Sequence, residues 1–332
     1  MGVTKIIPDL HYRKMKSHKI FGPLYQEFLD LPRGKTDEFL DKIARDDLGQ
    51  IIARTIITTS NFEDTGRQVF NLSYDITSLF SHTKLPKLGL RDVKLPYPCF
   101  YIHFPKALKI LVEESIVAGV YVSDPRQILA AQDTPEELIH SLFPDEEPRI
   151  DFITIFYENK TKKYYGGGAV FAVAKNVEDL EELVGMYEDN ISQDDKDVCG
   201  VVRIALNLIF YLNSTNKNIV VHDNKDEIKD VRRKMRSDNL KKHKRRQLES
   251  RLSYLSSQPI ITVIEPSLRI EKESSSMTTG NTKRRHWRRG HFHPYWINNP
   301  VGEGKVLVLR WLKPMLVGKG VESVIRDHYE VK

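Results

Sequence analysis

Cysteine is scarce in this chain. There are two in 332 residues, Cys99 and Cys199, and neither sits in a C-x-x-C pair. That excludes a disulfide framework and a cysteine-based zinc site, and fits a reducing compartment. Long apolar runs are missing as well. The longest, Val201 to Leu212, is interrupted by Arg203 and Asn207 and is too short to span a bilayer. The N-terminal MGVTKIIPDLHYRKMKSHK has no apolar signal-peptide core, and Ile6 stands where a myristoylation signal needs Ser or Thr. A strong net charge is lacking: 51 Lys and Arg against 45 Asp and Glu leave a formal +6. Charge alone therefore does not establish nucleic-acid binding, and where it sits matters more. No repeat and no phosphate loop is present. Gly166 to Gly168 lead into a strand-like stretch, and no Gly-Lys-Ser/Thr follows them. A soluble, cytoplasmic protein is expected, with no membrane partner.

What is present is a globular balance of 40% hydrophobic and 29% charged residues. Leu24, Phe28 and Leu31 predict a short helix between Pro23 and Pro32. Thr36 is placed to cap the next helix, with Asp37 and Glu38 in its first turn and apolar residues from Phe39 to Ile52 at helical spacing. A further amphipathic pattern predicts a helix from about Glu63 to Phe80. The middle reads as a sheet, with strands near 99–104, 118–122, 150–157 and 169–174 and a helix-like stretch from Lys106 to Glu114. Tyr164, Tyr165 and the three glycines are expected to turn a hairpin between the last two strands. Asn176 to Met186 reads as a helix, and Val198 to Leu212 as a buried one. Strands are expected again near 260–265 and 305–312, with a linker by composition at Glu273 to Asn281. The expected fold class is α+β: a mixed, mainly antiparallel sheet flanked by helices, with a helical N-terminal part. The expected organisation is a helical region at 1–90, an α+β core at 91–221, a basic helical arm at 222–258, and C-terminal strands at 259–332 completing the core.

The strongest local signal is KRRHWRRGHFHPYW, Lys283 to Trp296, which contains no acid. Arg284, Arg285, Arg288 and Arg289 can contact phosphates, while Trp287, Phe292, Tyr295 and Trp296 offer flat faces for stacking bases. Single-stranded RNA or an RNA-bearing machine suits this composition. Equally, the aromatic side chains can anchor the segment to the sheet while the arginines pair with acids, and the residue types alone do not choose. His286, His291 and His293 raise a metal question, with His291 and His293 on one face of a strand. Flanking arginines would repel a dication and no nearby carboxylate completes the set, so no metal and no cofactor is expected. The same histidines have the residue types of a ribonuclease, which needs two acid–base groups across a phosphate.

Two charged stretches have plainer readings. Asp194 and Asp195 precede a helix, where caps and first-turn acids belong, rather than forming a two-metal site with Asp151 and Glu158. The stretch from His222 to Arg251 holds twelve Lys and Arg against six Asp and Glu. It reads as a solvated helix, or as an electrostatic arm for RNA or the ribosome. With no aromatic residue before Tyr254, such an arm could grip only backbone.

The pattern RRHWRRGHFHPYW followed by KVLVLRWLKPMLV resembles the C-terminal signature of the second type V-A anti-CRISPR family. Its hallmark is H-x-R-R-G-H-W-H-x-Y-W, then a strand ending in K/R-W and a proline. His286, Arg288, Arg289, Gly290, His291, His293, Tyr295 and Trp296 match; Phe292 replaces a tryptophan; Arg310, Trp311 and Pro314 match the strand. LPYPCFYIHF, Leu95 to Phe104, is similar to an upstream strand of the family, and the resemblance spans about residues 40–318. It implies a non-enzymatic protein of a bacterial host that lowers production of the type V-A CRISPR effector nuclease. It does so by recognising the nascent N-terminal peptide during translation and triggering loss of the mRNA. The implied partners are that peptide and the ribosome or mRNA, with no DNA, and no catalytic residue is implied. The rival readings are a ribonuclease using His286, His291 and His293, and an RNA-binding regulator of a mobile element.

Overall fold

The computed structural model describes residues 19, 21–31, 42–43, 47–89, 94–105, 111–112, 115–124, 127–128, 149–158, 163–174, 179–182, 184, 193–222, 224–236, 242–256, 260–264, 286–288, 290–299, 304–312 and 315–317. The expected Thr36 cap, most of the Lys106–Glu114 stretch, the 273–281 linker, and Lys283, Arg284, Arg285 and Arg289 lie outside the described residues.

At its centre is a mixed sheet. β1 (Gln68–Leu72) lies between β2 (Cys99–His103) and β8 (Ile260–Ile264), parallel to both. Antiparallel neighbours extend it. β4 (Ser115–Ser123), β5 (Arg149–Glu158) and β6 (Lys163–Ala174) follow β2 on one side, and β7 (Ile219–His222) closes the other. The two-residue β3 (Leu111–Val112) pairs with the start of β4, so a strand replaces part of the helix expected there. Antiparallel pairs outnumber parallel ones, as the sequence leads one to expect.

Helices cover both faces. α1 (Phe21–Leu29) packs on α2 (Asp47–Asp64) through Tyr25 and Ile56. Phe62 of α2 joins Val69, Cys99, Tyr101, Tyr121, Ile153 and Ile155 on one sheet face. The other face carries Phe70, Phe100, Ile102, Val120 and Phe152, which pack under α3 (Tyr74–His82) and α4 (Gln193–Asn213). The alternation along each strand sorts these two sets. In β4 a bulge between Val117 and Gly119 shifts the phase, so that Val117 and Val120 share a face although three positions apart.

The helix expected over Glu63 to Phe80 is a strand followed by a helix. Gly66, at φ +92°, ends α2 in a Schellman motif: Arg67 N–H donates to Phe62 O at 2.9 Å and Gly66 N–H to Glu63 O at 3.3 Å. All five residues of β1 are buried between two neighbours. Ser73 then caps α3, its hydroxyl accepting from Ile76 N–H at 3.3 Å. The apolar spacing that suggests one helix is the sum of two elements.

Other differences are similar in kind. Tyr164 to Gly168 lie inside β6, and the register irregularity between β5 and β6 falls on the glycine run, opposite Ile153 to Ile155. Strand 305–312 is outside the main sheet. The expected buried helix is α4, and it begins at Gln193, so Asp194 and Asp195 fall in its first turn.

The two polar residues inside α4 have structural partners. Arg203 donates to both carboxylate oxygens of Glu181 at 2.7 Å, and Glu181 also accepts from Leu85 N–H. Asn207, fully buried, donates to the carbonyls of Phe80 and Thr83. It thereby adds a second donor to Phe80 O, which also accepts from Thr83 N–H at 3.3 Å, and supplies one to Thr83 O just past the end of α3.

Candidate functional site

The basic-aromatic segment is divided between two small ribbons. β9 (His286–Arg288) pairs antiparallel with β12 (Met315–Val317), and β10 (His291–Asn298) pairs antiparallel with β11 (Lys305–Leu312). A turn joins β10 to β11, with Asn299 N–H donating to Gly304 O at 2.9 Å and Gly304 at φ +94°.

Alternation along β10 and β11 gives each ribbon face a different environment. Phe292 and Trp311 are cross-strand partners, and both are buried. Phe292 lies 5.8 Å from Phe210, and Trp311 lies 5.2 Å from Tyr211 and 6.1 Å from Phe80, between ring centroids. Leu309 is buried with them. This face docks the ribbon on α3 and α4.

Asparagine side chains then fix the docked ribbon. Asn216 donates to Trp311 O at 2.8 Å and accepts from Trp311 N–H at 3.1 Å, imitating a strand partner. Thr215 N–H donates to Leu309 O. Asn213 makes the same paired contact with the backbone of Lys94. Neither asparagine stands out in the sequence. Their only signal is the run Asn213-Ser-Thr-Asn216 directly after an apolar helix, where capping residues are expected.

The opposite face carries His291, His293, Tyr295 and Ile297 from β10, with Val306, Val308 and Arg310 across the ribbon. His293 and Tyr295 are exposed, and their rings stack at 4.4 Å and 26°. Exposed Arg310 is the cross-strand partner of His293. Trp296, on the docking face but at the far end of the ribbon, is 55% exposed. Flat rings, a guanidinium and no carboxylate thus share one surface, which is the chemistry that stacks bases or aromatic side chains.

Of the residues singled out in the sequence, the structure brings His291, His293, Tyr295 and Arg310 to this outer surface. It sends Phe292 and Trp311 inward. His286, Trp287 and Arg288 occupy β9, in the other ribbon. Among the described residues no three metal-donor side chains come together, and no helix is long and apolar enough to cross a membrane.

A second exposed feature went unforeseen. Among the described residues β7 pairs only with β8 and forms one edge of the main sheet. Val220 and Val221 on it are 40% and 52% exposed. The β-branched run Ile219-Val-Val221 before His222 is the sequence signal for this strand.

The family model described as AcrVA2-like, anti-CRISPR type V subtype A2 family, matches residues 70–319. The match opens in β1 and ends two residues past β12, so it takes in nearly all of the sheet, α3, α4, the two helices at Lys225–Met235 and Lys242–Ser256, and both ribbons. It leaves out α1 and α2, and so starts later than the resemblance read from the sequence near residue 40. No curated protein matches the chain.

Proposed function

The chain belongs to the anti-CRISPR type V subtype A2 family, and from that premise we propose that it lowers production of a type V-A CRISPR effector nuclease. In this reading it recognises the nascent N-terminal peptide of the effector during translation and brings about loss of the mRNA, without catalytic residues of its own. The observation that carries the proposal is the family match over 70–319. Two surfaces support its parts. The edge of β7, unpaired among the described residues and with Val220 and Val221 exposed, suits an extended peptide added as a strand: main-chain hydrogen bonds give affinity and alternate side-chain contacts give selectivity. The outer face of the β10–β11 ribbon, with His293, Tyr295 and Arg310, suits contact with RNA or the ribosome. DNA has no role in this reading, and the protein works in the cytoplasm, where translation occurs.

The test is expression of the chain beside a type V-A effector gene, with effector protein and mRNA both measured. Loss of both is expected. The loss should persist when the first codons are recoded synonymously and vanish when a compensated frameshift changes the peptide but not the composition of the message. Loss that follows the nucleotide sequence instead of the peptide would overturn the reading.

A further inference from the structure

The connection between β7 and β8 is not a turn but a pair of helices, α5 (Lys225–Met235) and α6 (Lys242–Ser256), packed against each other. Residues 225–256 hold twelve Lys and Arg against five Asp and Glu. That surplus exceeds the formal +6 of the whole chain, so the rest of the molecule is on balance slightly acidic.

A solvated helix usually interleaves acids and bases around its circumference, where pairs four apart support each other. Here acids and bases interleave on one flank of α5 only, and the other carries bases alone. On α5, Lys225, Lys229, Arg232 and Arg236 recur at spacings of four, three and four, which places them on one stripe. All four are exposed. Asp226, Glu227 and Asp230 lie on the other flank. Between the two runs the apolar seam of Ile228, Val231 and Met235, with Val231 buried.

Packing then fixes what α6 adds. Its seam is Leu248, Leu252 and the buried Leu255. Arg251 pairs with Glu227, which sets the acidic flank of α5 beside the Arg251 flank of α6. The antiparallel arrangement leaves Lys242, Arg245 and Arg246, all exposed, on the same side as the α5 stripe. Glu249, the only acid of α6, is exposed and stands four positions after Arg245 and three after Arg246, so it falls within this row. The acids of the far flank are occupied locally: Asp230 holds Arg233 at 2.6 Å and Lys234 at 2.5 Å. The hydrogen bond from Lys234, with Arg233 beside it, holds the Asp230 carboxyl below its ordinary value.

The result is two parallel rows on a single face, Lys225, Lys229, Arg232 and Arg236 from α5 and Lys242, Arg245 and Arg246 with Glu249 among them from α6, so that cations predominate. Helices in contact lie about 8–10 Å apart. We propose that this face of the α5–α6 hairpin binds the phosphate backbone of base-paired RNA, one row to each strand. The face carries no aromatic residue, because Tyr254 lies on the Arg251 flank, so it has no platform for unpaired bases. Contacts to phosphates alone bind without sequence preference. The preference for RNA over DNA rests on the proposed action during translation; the phosphate contact rests on the hairpin alone. The hairpin springs from the edge strand β7, and its base is fastened by Arg67, which donates to Ser256 O at 3.1 Å.

The test uses the full chain with a labelled RNA duplex, the DNA duplex of the same sequence, and anionic phosphatidylserine vesicles, each titrated at several salt concentrations. One variant, Lys229→Gln with Arg232→Gln and Arg246→Gln, removes three cations from the proposed face. A second, His243→Glu with Gln247→Glu and Ser250→Glu, makes the same change in formal charge on the opposite flank. Both keep good helix formers or exposed positions, and thermal midpoints confirm that they fold. The wild type should bind duplex RNA with a steep salt dependence. The first variant should lose at least tenfold in affinity, and its salt slope should fall by roughly 1 per cation removed. The second should stay within about threefold of wild type, judged against that expected loss. Equal losses in both variants, no RNA binding at low salt, or binding confined to DNA or to vesicles would each overturn the proposal. Effector suppression is read separately, so RNA binding can fail while the functional reading stands, and the reverse.

Discussion

At the scale of single residues, Gly119 is the most closely packed of the described glycines. A Cβ there would lie 2.3 Å from Ile102 O and 2.3 Å from Tyr101 Oη. The Tyr101 ring folds across the glycine and meets Tyr121 at 4.8 Å. The side chain that glycine lacks is thus replaced by a neighbouring aromatic one. Gly119→Ala is expected to destabilise by about 1–3 kcal/mol, since the clash is with backbone and a packed ring; urea unfolding measures it. Two tryptophans of the C-terminal segment should respond in opposite ways. Trp311 is 2% exposed and Trp296 is 55% exposed. Trp311→Ala should cost about 3–5 kcal/mol. Trp296→Ala should stay within roughly 0.5 kcal/mol of wild type while reducing effector suppression in cells. Equal stability losses would show that the two rings do the same job.

At the scale of elements, the end of α2 carries an acid in the wrong place. Asp64 is the last residue of the helix, where the partial charge of unpaired carbonyls is negative. Desolvation raises its carboxyl above the ordinary value, Glu63 adds to the rise, and Arg67 opposes it. A carboxyl whose folded value is raised favours the fold fully below its unfolded value, and that contribution is lost as pH rises through the folded value. Asp64→Asn should therefore be more stable than wild type at pH 7, with the gain vanishing near pH 3, below the ordinary Asp value of about 3.9. Midpoints of urea unfolding at the two pH values check this. α4 shows the opposite economy. Its interruptions, Arg203 and Asn207, read as breaks in an apolar run, yet each ends on a specific partner.

On the scale of the whole molecule, the family segment and the folded body differ in extent. The match begins at residue 70, but Phe62 of α2 is buried in the cluster on one sheet face. Removing residues 1–65 would bare Val69, Cys99, Tyr101 and Tyr121 on that side. A chain beginning at Gly66 should therefore aggregate or lose cooperative unfolding, although it retains the entire matched segment. Light scattering and circular dichroism of the truncated chain test this. Charge is distributed on the same scale: the helical hairpin, together with the basic C-terminal segment, concentrates cations against a body that is acidic without them.

Local pattern was enough for much of this. The sequence by itself determined the α+β class, the buried helix α4, the cores of β2, β4, β5 and β8, and membership of the family, because each depends on residue spacing over one element or one motif. It determined that His291 and His293 share a face, since strand alternation is local. Only the tertiary structure decided which ribbon face would be covered, that β11 pairs with β10 apart from the main sheet, and that Gly66 splits one apparent helix into a strand and a helix. It alone decided that the cations of α5 and α6 meet on one side, because that follows from the pairing of Arg251 with Glu227 across two helices. Periodicity tells which side chains travel together; what lies opposite them is set by long-range packing.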